Sequence, residues 1–253
     1  MANYTDLRTV EWTVASSPIP ILSLSLFYIY IVYFAGPQFM KNRKPYSLKW
    51  VIRCYNILQV VANFYLVCKV MVYAKPLATV WRYCESFDDF YGPDLEKIFE
   101  IMVFGMSLKF FDLIETIVFV LRKKNRQISF LHTYHHLSTI LFLWGSARYY
   151  IHSFLMCMAF LNGIVHTIMY SYYFLSTFGP NMQQKLLPLK KQMTTIQIVH
   201  IAFLMGVPLR ALVPSCGNSD VKLFSALTIL NGIVVISTFF QFYYSAYKKS
   251  KKA

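Results

Sequence analysis

Charge is scarce in this chain: 14% of its 253 residues are Asp, Glu, Lys or Arg, against 57% hydrophobic residues. An ordinary water-soluble domain carries about a quarter charged residues, so that class is excluded and an integral membrane protein is expected. Acids are scarcest, 11 against 25 basic residues. The net charge of +14 does not point to nucleic acid, because the cations fall in short clusters between apolar runs instead of along one soluble face. Gly/Ser linkers, low-complexity tracts and any strong internal repeat are missing, which leaves a single membrane-embedded domain over 1–253. No charged leader precedes the first apolar run and no small-residue cleavage site follows it, so that run is expected to stay as an anchor.

A hydrocarbon core about 30 Å thick takes roughly 20 apolar residues per helix. Stretches near 19–36, 50–74, 98–120, 130–147, 152–176, 194–214 and 223–246 meet that length. The expected fold is therefore all-α and polytopic, with seven transmembrane helices. Basic loops mark the cytosolic side: Lys41, Arg43, Lys44 and Lys49 after span one, Arg122, Lys123, Lys124 and Arg126 after span three, Lys185, Lys190 and Lys191 after span five, and the tail from Lys248. Five of the 11 acids (Glu85, Asp88, Asp89, Asp94, Glu96) lie in one of the opposite loops, which puts the N-terminus in the lumen. There Asn3-Tyr4-Thr5 is a glycosylation sequon. In the cytosolic tail, Lys249 and Lys251 have the spacing of a dilysine retrieval signal of the endoplasmic reticulum, or form a stop-transfer cluster. The connection 75–97 has room for a short interfacial segment. Span one reads as plain lipid-facing sequence, and spans three to six as the lining of a cavity.

Of the five cysteines, Cys54, Cys68 and Cys157 lie in spans, where cysteine acts as a small apolar residue. Cys84 and Cys216 fall in lumenal loops, where disulfides are permitted, and are expected to pair.

Histidine is also scarce, six in all, yet three of them stand in the run HTYHH as His132, His135 and His136. Positions i, i+3 and i+4 share a helix face, so these imidazoles converge on one spot, where they could hold a metal, move protons or carry an acyl group. A di-iron oxygenase of the desaturase or hydroxylase type needs about eight histidines in separated boxes; the count argues against it, and no metal is expected. No cysteine lies beside the box to act as a nucleophile.

Lys109, Asp112 and Thr116 share a face of span three, with Glu115 to one side, either as a functional site or as an ion pair stitching the helix. The following run LRKKNRQ sets topology, and its Lys123, Lys124 and Arg126 could receive the phosphates of a nucleotide-bearing substrate such as coenzyme A. Span five aligns Asn162, His166, Met169 or Tyr170, and Tyr173 along one stripe. Thr194, Gln197 and His200 recur every three residues at the cytosolic end of span six, and His152 reads as structural.

In order along the chain, GPQFMKNRKP, KFFDLIET (as KxxExxDT), LRKKNRQISFLHTYHH, NGIVHTIMYSYY (as NxxHxxMYxYY) and TTIQ (as TxxQ) resemble the blocks of the very-long-chain fatty acid elongases, the 3-ketoacyl-CoA synthases of the endoplasmic reticulum. The resemblance covers nearly the whole chain. Two positions depart from it: Asp112 and Glu115 exchange the family's glutamate and aspartate, and His200 replaces a usual glutamine.

The resemblance implies a multi-pass protein of the endoplasmic reticulum membrane in which six of the seven helices enclose a long tunnel. It implies decarboxylative condensation of a long-chain acyl-CoA with malonyl-CoA, with no bound cofactor. The expected partners are the bilayer and the reductases and dehydratase of the elongation cycle. Lys190, Lys191, Thr194, Gln197, Tyr170 and Tyr173 join Lys109, Asp112, Glu115, Thr116 and the basic loop as substrate contacts. His135 would take the acyl group, aided by His132 and His136. His166 would assist decarboxylation and stabilise the enolate, with Asn162 and the tyrosines as donors to the developing negative charge. Direct condensation, with the histidines as bases only, is the alternative mechanism; a non-catalytic seven-helix lipid transporter or receptor is the alternative function. RKKNRQISFLH is more similar to the branch handling very long chains.

Overall fold

The computed structural model describes residues 17–248; the Asn3 sequon and the Lys249 and Lys251 spacing lie outside them. The described residues form helices joined by short loops, with no strand among them. The long helices are α1 (Pro18–Met40), α2 (Lys49–Tyr73), α5 (Leu95–Leu121), α6 (Phe130–Tyr149), α7 (Phe154–Ser176), α8 (Pro180–Gly206) and α9 (Ser219–Tyr243). Two short helices, α3 (Ala78–Trp81) and α4 (Phe87–Tyr91), occupy the connection 75–97.

Five of these helices, counting α8 and α9 with their short extensions, are long and apolar enough to cross a membrane: α1, α2, α7, α8 and α9. At 1.5 Å per residue α5 and α6 extend about 40 and 30 Å, so neither is short. α5 is set apart by the charges it carries, Glu96, Lys97, Glu100, Lys109, Asp112 and Glu115, and α6 by the histidine run and Arg148.

The chain divides into two compact units. The first comprises 17–48 and 102–151. Its core takes Ile21, Tyr28, Val32 and Met40 from α1, Met106, Leu113 and Val120 from α5, and Ile140 and Trp144 from α6. The seven-residue spacing on α5 and the seven-, four- and eight-residue spacing on α1 each make one continuous apolar face. Span one is therefore not plain lipid-facing sequence. Ile19, Leu26, Phe27 and Phe34 are exposed, but the opposite face is core.

Within α1, residues Ile31–Ala35 form a π turn. Pro37 follows it, and a proline ring collides with the carbonyl four residues back in a regular helix, so the wider turn relieves the clash. Gly36 completes the arrangement: its N–H donates to the carbonyl of Ile31. A Cβ at position 36 would stand 2.6 Å from both that oxygen and Val120 Cγ1. At the far end of α5, Lys123 takes a left-handed conformation with φ 53°. Its N–H donates to Val120 O, and that of Lys124 to Phe119 O. This is the Schellman arrangement, with lysine where glycine is usual. Tyr46 N donates to Leu121 O at 3.1 Å and satisfies another terminal carbonyl.

The second unit comprises 49–101 and 152–248, and its most extensive pairing is α2 on α7. Gly163 permits the close approach, since a Cβ there would meet Val67 Cγ2 at 2.8 Å. Arg53 closes the end of α7 by donating to Thr177 O and Oγ1, both at 3.1 Å. α8 begins at Pro180, well before the expected start near 194, so Lys185, Lys190 and Lys191 lie on helix and not in a loop. Pro at the first helical position is favourable, and the first turns are too polar to register as a membrane span.

The sulfurs of Cys84 and Cys216 are bonded, tying the α2–α5 connection to the α8–α9 loop. Beside them His152 is stacked on Phe224 with ring centroids 4.6 Å apart and lies 4.5 Å from Tyr83. Its Nδ1 accepts the Phe154 N–H at 3.0 Å, which leaves the ring proton on Nε2. Burial pushes His152 down to about 4 and the Tyr83 hydroxyl up to about 12.

Two outcomes are expected. Gly36→Ala lowers the thermal midpoint of the detergent-purified protein by an amount equivalent to roughly 1–3 kcal/mol. Adding Val120→Ala recovers only part of this, because Ile31 O is backbone. For His152, the folded protein holds the ring neutral while the unfolded chain binds a proton near pH 6.5. This contribution to stability is complete above about pH 6.5 and is lost as pH falls toward 4. Thermal midpoints measured from pH 7.5 to 5 should fall more steeply for the wild type than for His152→Phe; equal slopes would refute the assignment.

Candidate functional site

In the first unit, α5 presents Lys109, Asp112 and Thr116 on its buried face. Lys109 Nζ lies 3.0 Å from Asp112 Oδ2, and both side chains are almost completely buried. Removing one partner of such a pair strands the other charge and costs about 3–5 kcal/mol. Thr116 is wholly buried. Its hydroxyl lies 2.7 Å from Tyr28 OH and 2.8 Å from His132 Nε2, so one hydroxyl links α1, α5 and α6.

Ser129 starts α6 by accepting the His132 N–H at 3.2 Å. That cap fixes the register of the histidine run. The ring centroids of His132 and His136 are 4.4 Å apart, and those of His135 and His136 are 5.6 Å apart. Phe119 covers His132 at 5.4 Å. On the next residue, Thr133 Oγ1 meets Tyr33 OH at 2.8 Å. Glu115, His132 and His136 each bring one donor atom within 4.8 Å of the other two. Two imidazoles and a carboxylate are a donor set that suits one divalent cation. The same set equally suits proton transfer between neighbouring rings.

Tyr28 and Tyr33 escaped the sequence reading. The signal for Tyr28 was the three- and four-residue spacing of Ile21, Ser25, Tyr28 and Val32, all buried on one face of α1; Tyr33 is exposed and lies off that spacing.

In the second unit, α7 carries His166, 5% exposed, and Tyr170, fully buried, with ring centroids 5.6 Å apart. Tyr173 continues the stripe 6.0 Å from Tyr170 and is more exposed. Asn162 lies one turn before His166 and is half-buried. α2 contributes a polar face that the sequence reading also missed: Tyr55, Asn56, Gln59 and Asn63 are all buried. Gln59 Nε2 donates to Tyr55 OH at 2.9 Å, and Asn63 Nδ2 donates to Gln59 Oε1 at 2.9 Å. The four-residue spacing of Tyr55, Gln59 and Asn63 was the available signal.

The remaining contacts predicted on α8 and in the basic loop separate into two kinds. Gln197 Nε2 lies 3.4 Å from Met169 Sδ, placing it against α7. Thr194 is buried, with its hydroxyl 3.3 Å from Tyr247 OH. Lys190 and Lys191 are exposed on the first turns of α8, Lys191 above the Tyr243 ring. In the first unit Lys123, Lys124 and Arg126 are exposed, and Lys123 Nζ reaches Lys41 O at 3.4 Å. Exposed cations of this kind suit phosphate oxygens.

The histidine cluster and the polar stripes have counterparts in known proteins. The model of the ELO (GNS1/SUR4) family matches residues 13–253. Very long chain fatty acid elongase 1 of Mus musculus is 30% identical over 253 residues, covering all of this chain and 90% of its own length. Very long chain fatty acid elongase F of Drosophila simulans is 35% identical, over 97% of this chain and 94% of its own. Human very long chain fatty acid elongase 4 is 32% identical, over 98% of this chain and 77% of its own. With its match running through both units and every polar stripe described above, the chain belongs to the ELO (GNS1/SUR4) family of fatty acid elongases.

Proposed function

We propose that the protein is a very-long-chain 3-oxoacyl-CoA synthase of the endoplasmic reticulum membrane. It condenses a long-chain acyl-CoA with malonyl-CoA to give a 3-ketoacyl-CoA two carbons longer. The observation that carries this reading is the histidine cluster on α6, with His136 buried and His132 hydrogen-bonded to Thr116, beside a buried Lys109–Asp112 pair on α5.

Imidazole nitrogen is a competent acyl acceptor, because acyl-imidazole has transfer potential comparable to a thioester. His135 attacks the thioester carbonyl and the coenzyme A thiolate leaves, taking up the proton released from the ring. Malonyl-CoA then loses carbon dioxide, and the enolate carbon attacks the acyl carbonyl of the His135 adduct. The carbon–carbon bond forms as the carbon–nitrogen bond breaks. Over the cycle one proton is consumed, and coenzyme A, carbon dioxide and the 3-ketoacyl-CoA are released.

His132 has its Nε2 engaged by Thr116, which fixes its ring orientation beside His136. His132 and His136 thus set the tautomer of the box and accept protons. His166 and Asn162 assist decarboxylation and stabilise the enolate oxygen, while Lys123, Lys124, Arg126, Lys190 and Lys191 receive the coenzyme A phosphates. In this reading α5 and α6 also cross the bilayer, making seven spans, of which six enclose the acyl tunnel. The reductases and dehydratase of the cycle consume the product.

The test is turnover of purified protein with radiolabelled malonyl-CoA and a series of acyl-CoAs. Two-carbon extension is expected, abolished in His135→Ala. Thr116→Val should lower kcat about a hundredfold or more, within the general acid–base range. Incubation with acyl-CoA alone should leave an acyl adduct on His135 by mass spectrometry. Turnover without any adduct in a single cycle would replace the covalent route with direct condensation, and the absence of turnover with every acyl-CoA would overturn the reading.

A further inference from the structure

The buried amides of α2 have no part in the chemistry above, and packing does not explain them. Asn56, Gln59 and Asn63 are each at most 3% exposed in a helix apolar enough to cross a membrane. Asn56 Nδ2 and Asn63 Oδ1 make no hydrogen bond among the described residues, and a buried polar atom left so costs about 1–3 kcal/mol. Leucines at these sites would pack α2 against α7 more cheaply. The cost calls for a use.

The hydrogen bonds have a direction. Asn63 points an amide nitrogen at the backbone carbonyl of Gln59, 2.8 Å away. A carbonyl only accepts, so this contact fixes which end of the Asn63 amide faces Gln59. The same nitrogen donates to Gln59 Oε1 at 2.9 Å. With its oxygen turned to Asn63, Gln59 must turn its nitrogen to Tyr55 OH, 2.9 Å away. The Tyr55 hydroxyl therefore accepts from Gln59 and donates its own proton elsewhere. Tyr170 OH lies within reach at 3.5 Å, with the two rings meeting edge to face at 81°. Such contacts are often long without substrate and tighten when it binds. A hydroxyl that accepts a hydrogen bond becomes the stronger donor. Tyr170 stands one helical turn from His166 on the same face of α7.

We propose that Gln59 is a positioning residue for the condensation. Locked by Asn63, it polarises Tyr55, which in turn aims the Tyr170 hydroxyl proton at the enolate oxygen of malonyl-CoA. Tyr170 is then the group that touches the substrate, while Gln59, Tyr55 and Asn63 act through it. The inference rests on the synthase reading and on malonyl-CoA meeting the His166 face.

Rates per folded enzyme in Tyr170→Phe, Gln59→Met, Gln59→Glu and the Gln59→Met/Tyr170→Phe double variant test it. Loss of a donor to a developing oxyanion costs about a hundredfold or more in kcat, and that is expected of Tyr170→Phe, with KM for malonyl-CoA within about twofold. Gln59→Met should lose roughly tenfold in kcat, as expected when a hydrogen-bonded support is removed. The double variant should be no slower than Tyr170→Phe alone, because the relay has nothing left to aim. Gln59→Glu keeps the acceptor for Asn63 but takes the Tyr55 proton for itself, so it should be at least as slow as Gln59→Met.

Multiplying losses in the double variant, a Gln59→Glu enzyme with wild-type kcat, or a change confined to KM would each overturn the relay. A purely structural role predicts multiplying losses and a lowered thermal midpoint. The relay predicts neither. A wild type that extends no acyl-CoA overturns the synthase reading and the relay together; an active wild type with multiplying losses overturns the relay alone.

Discussion

A hydroxyl, amide or charge in hydrocarbon must find its partner inside the protein, and that one requirement organises both units. In the first it concentrates on Thr116, whose hydroxyl is shared between Tyr28 and His132. Because the three side chains come from three helices, the contact fixes their relative height as well as their distance. Packing then follows from it: the apolar faces of α1, α5 and α6 close around the link, and Gly36 admits the approach of Val120. In the second unit the same requirement produces the Tyr55–Gln59–Asn63 ladder and the Arg53 closure of α7.

The sequence made most of the architecture legible because a membrane restricts the menu. Long apolar runs between basic loops lead to long helices in the expected order, and the expectation of a shared lumenal side for Cys84 and Cys216 pointed to their bond. The histidine box was readable for a similar reason, since three imidazoles at helical spacing stand out in an apolar helix. Tyr28 and Tyr33 were harder, because a tyrosine in a span suits an interfacial belt or a lipid-facing surface as well as a core. Only the partner, a threonine 88 positions away for Tyr28 and 100 for Tyr33, distinguishes these. Gln59 and Asn63 were passed over because amides in a helix also read as isolated polar defects. The start of α8 was misplaced because hydropathy registers burial in lipid, not helicity, and the turns after Pro180 are helical without being apolar.

The exchange of acids on α5 acquires a physical sense in the geometry. Asp112, the shorter side chain, faces Lys109 three residues before it on the same helix and needs little reach. Glu115 stands off the buried stripe, yet its carboxylate comes within 4.8 Å of ring nitrogens of His132 and His136. The longer stem suits the longer crossing. Two negative charges are retained, one neutralised within its own helix and one presented to the imidazoles of the next.

Lys123 gives the end of α5 an unusual character. A left-handed lysine is disfavoured by roughly 1–2 kcal/mol relative to ordinary helical backbone, and the Schellman hydrogen bonds hold it there. The first basic residues after the helix consequently leave it in one direction, not many. A flexible tether would have to surrender about 1–2 kcal/mol of conformational entropy per residue each time the loop closed on an anion. Here much of that ordering is already done when the helix folds, so an anion arriving at the loop would meet a shaped surface.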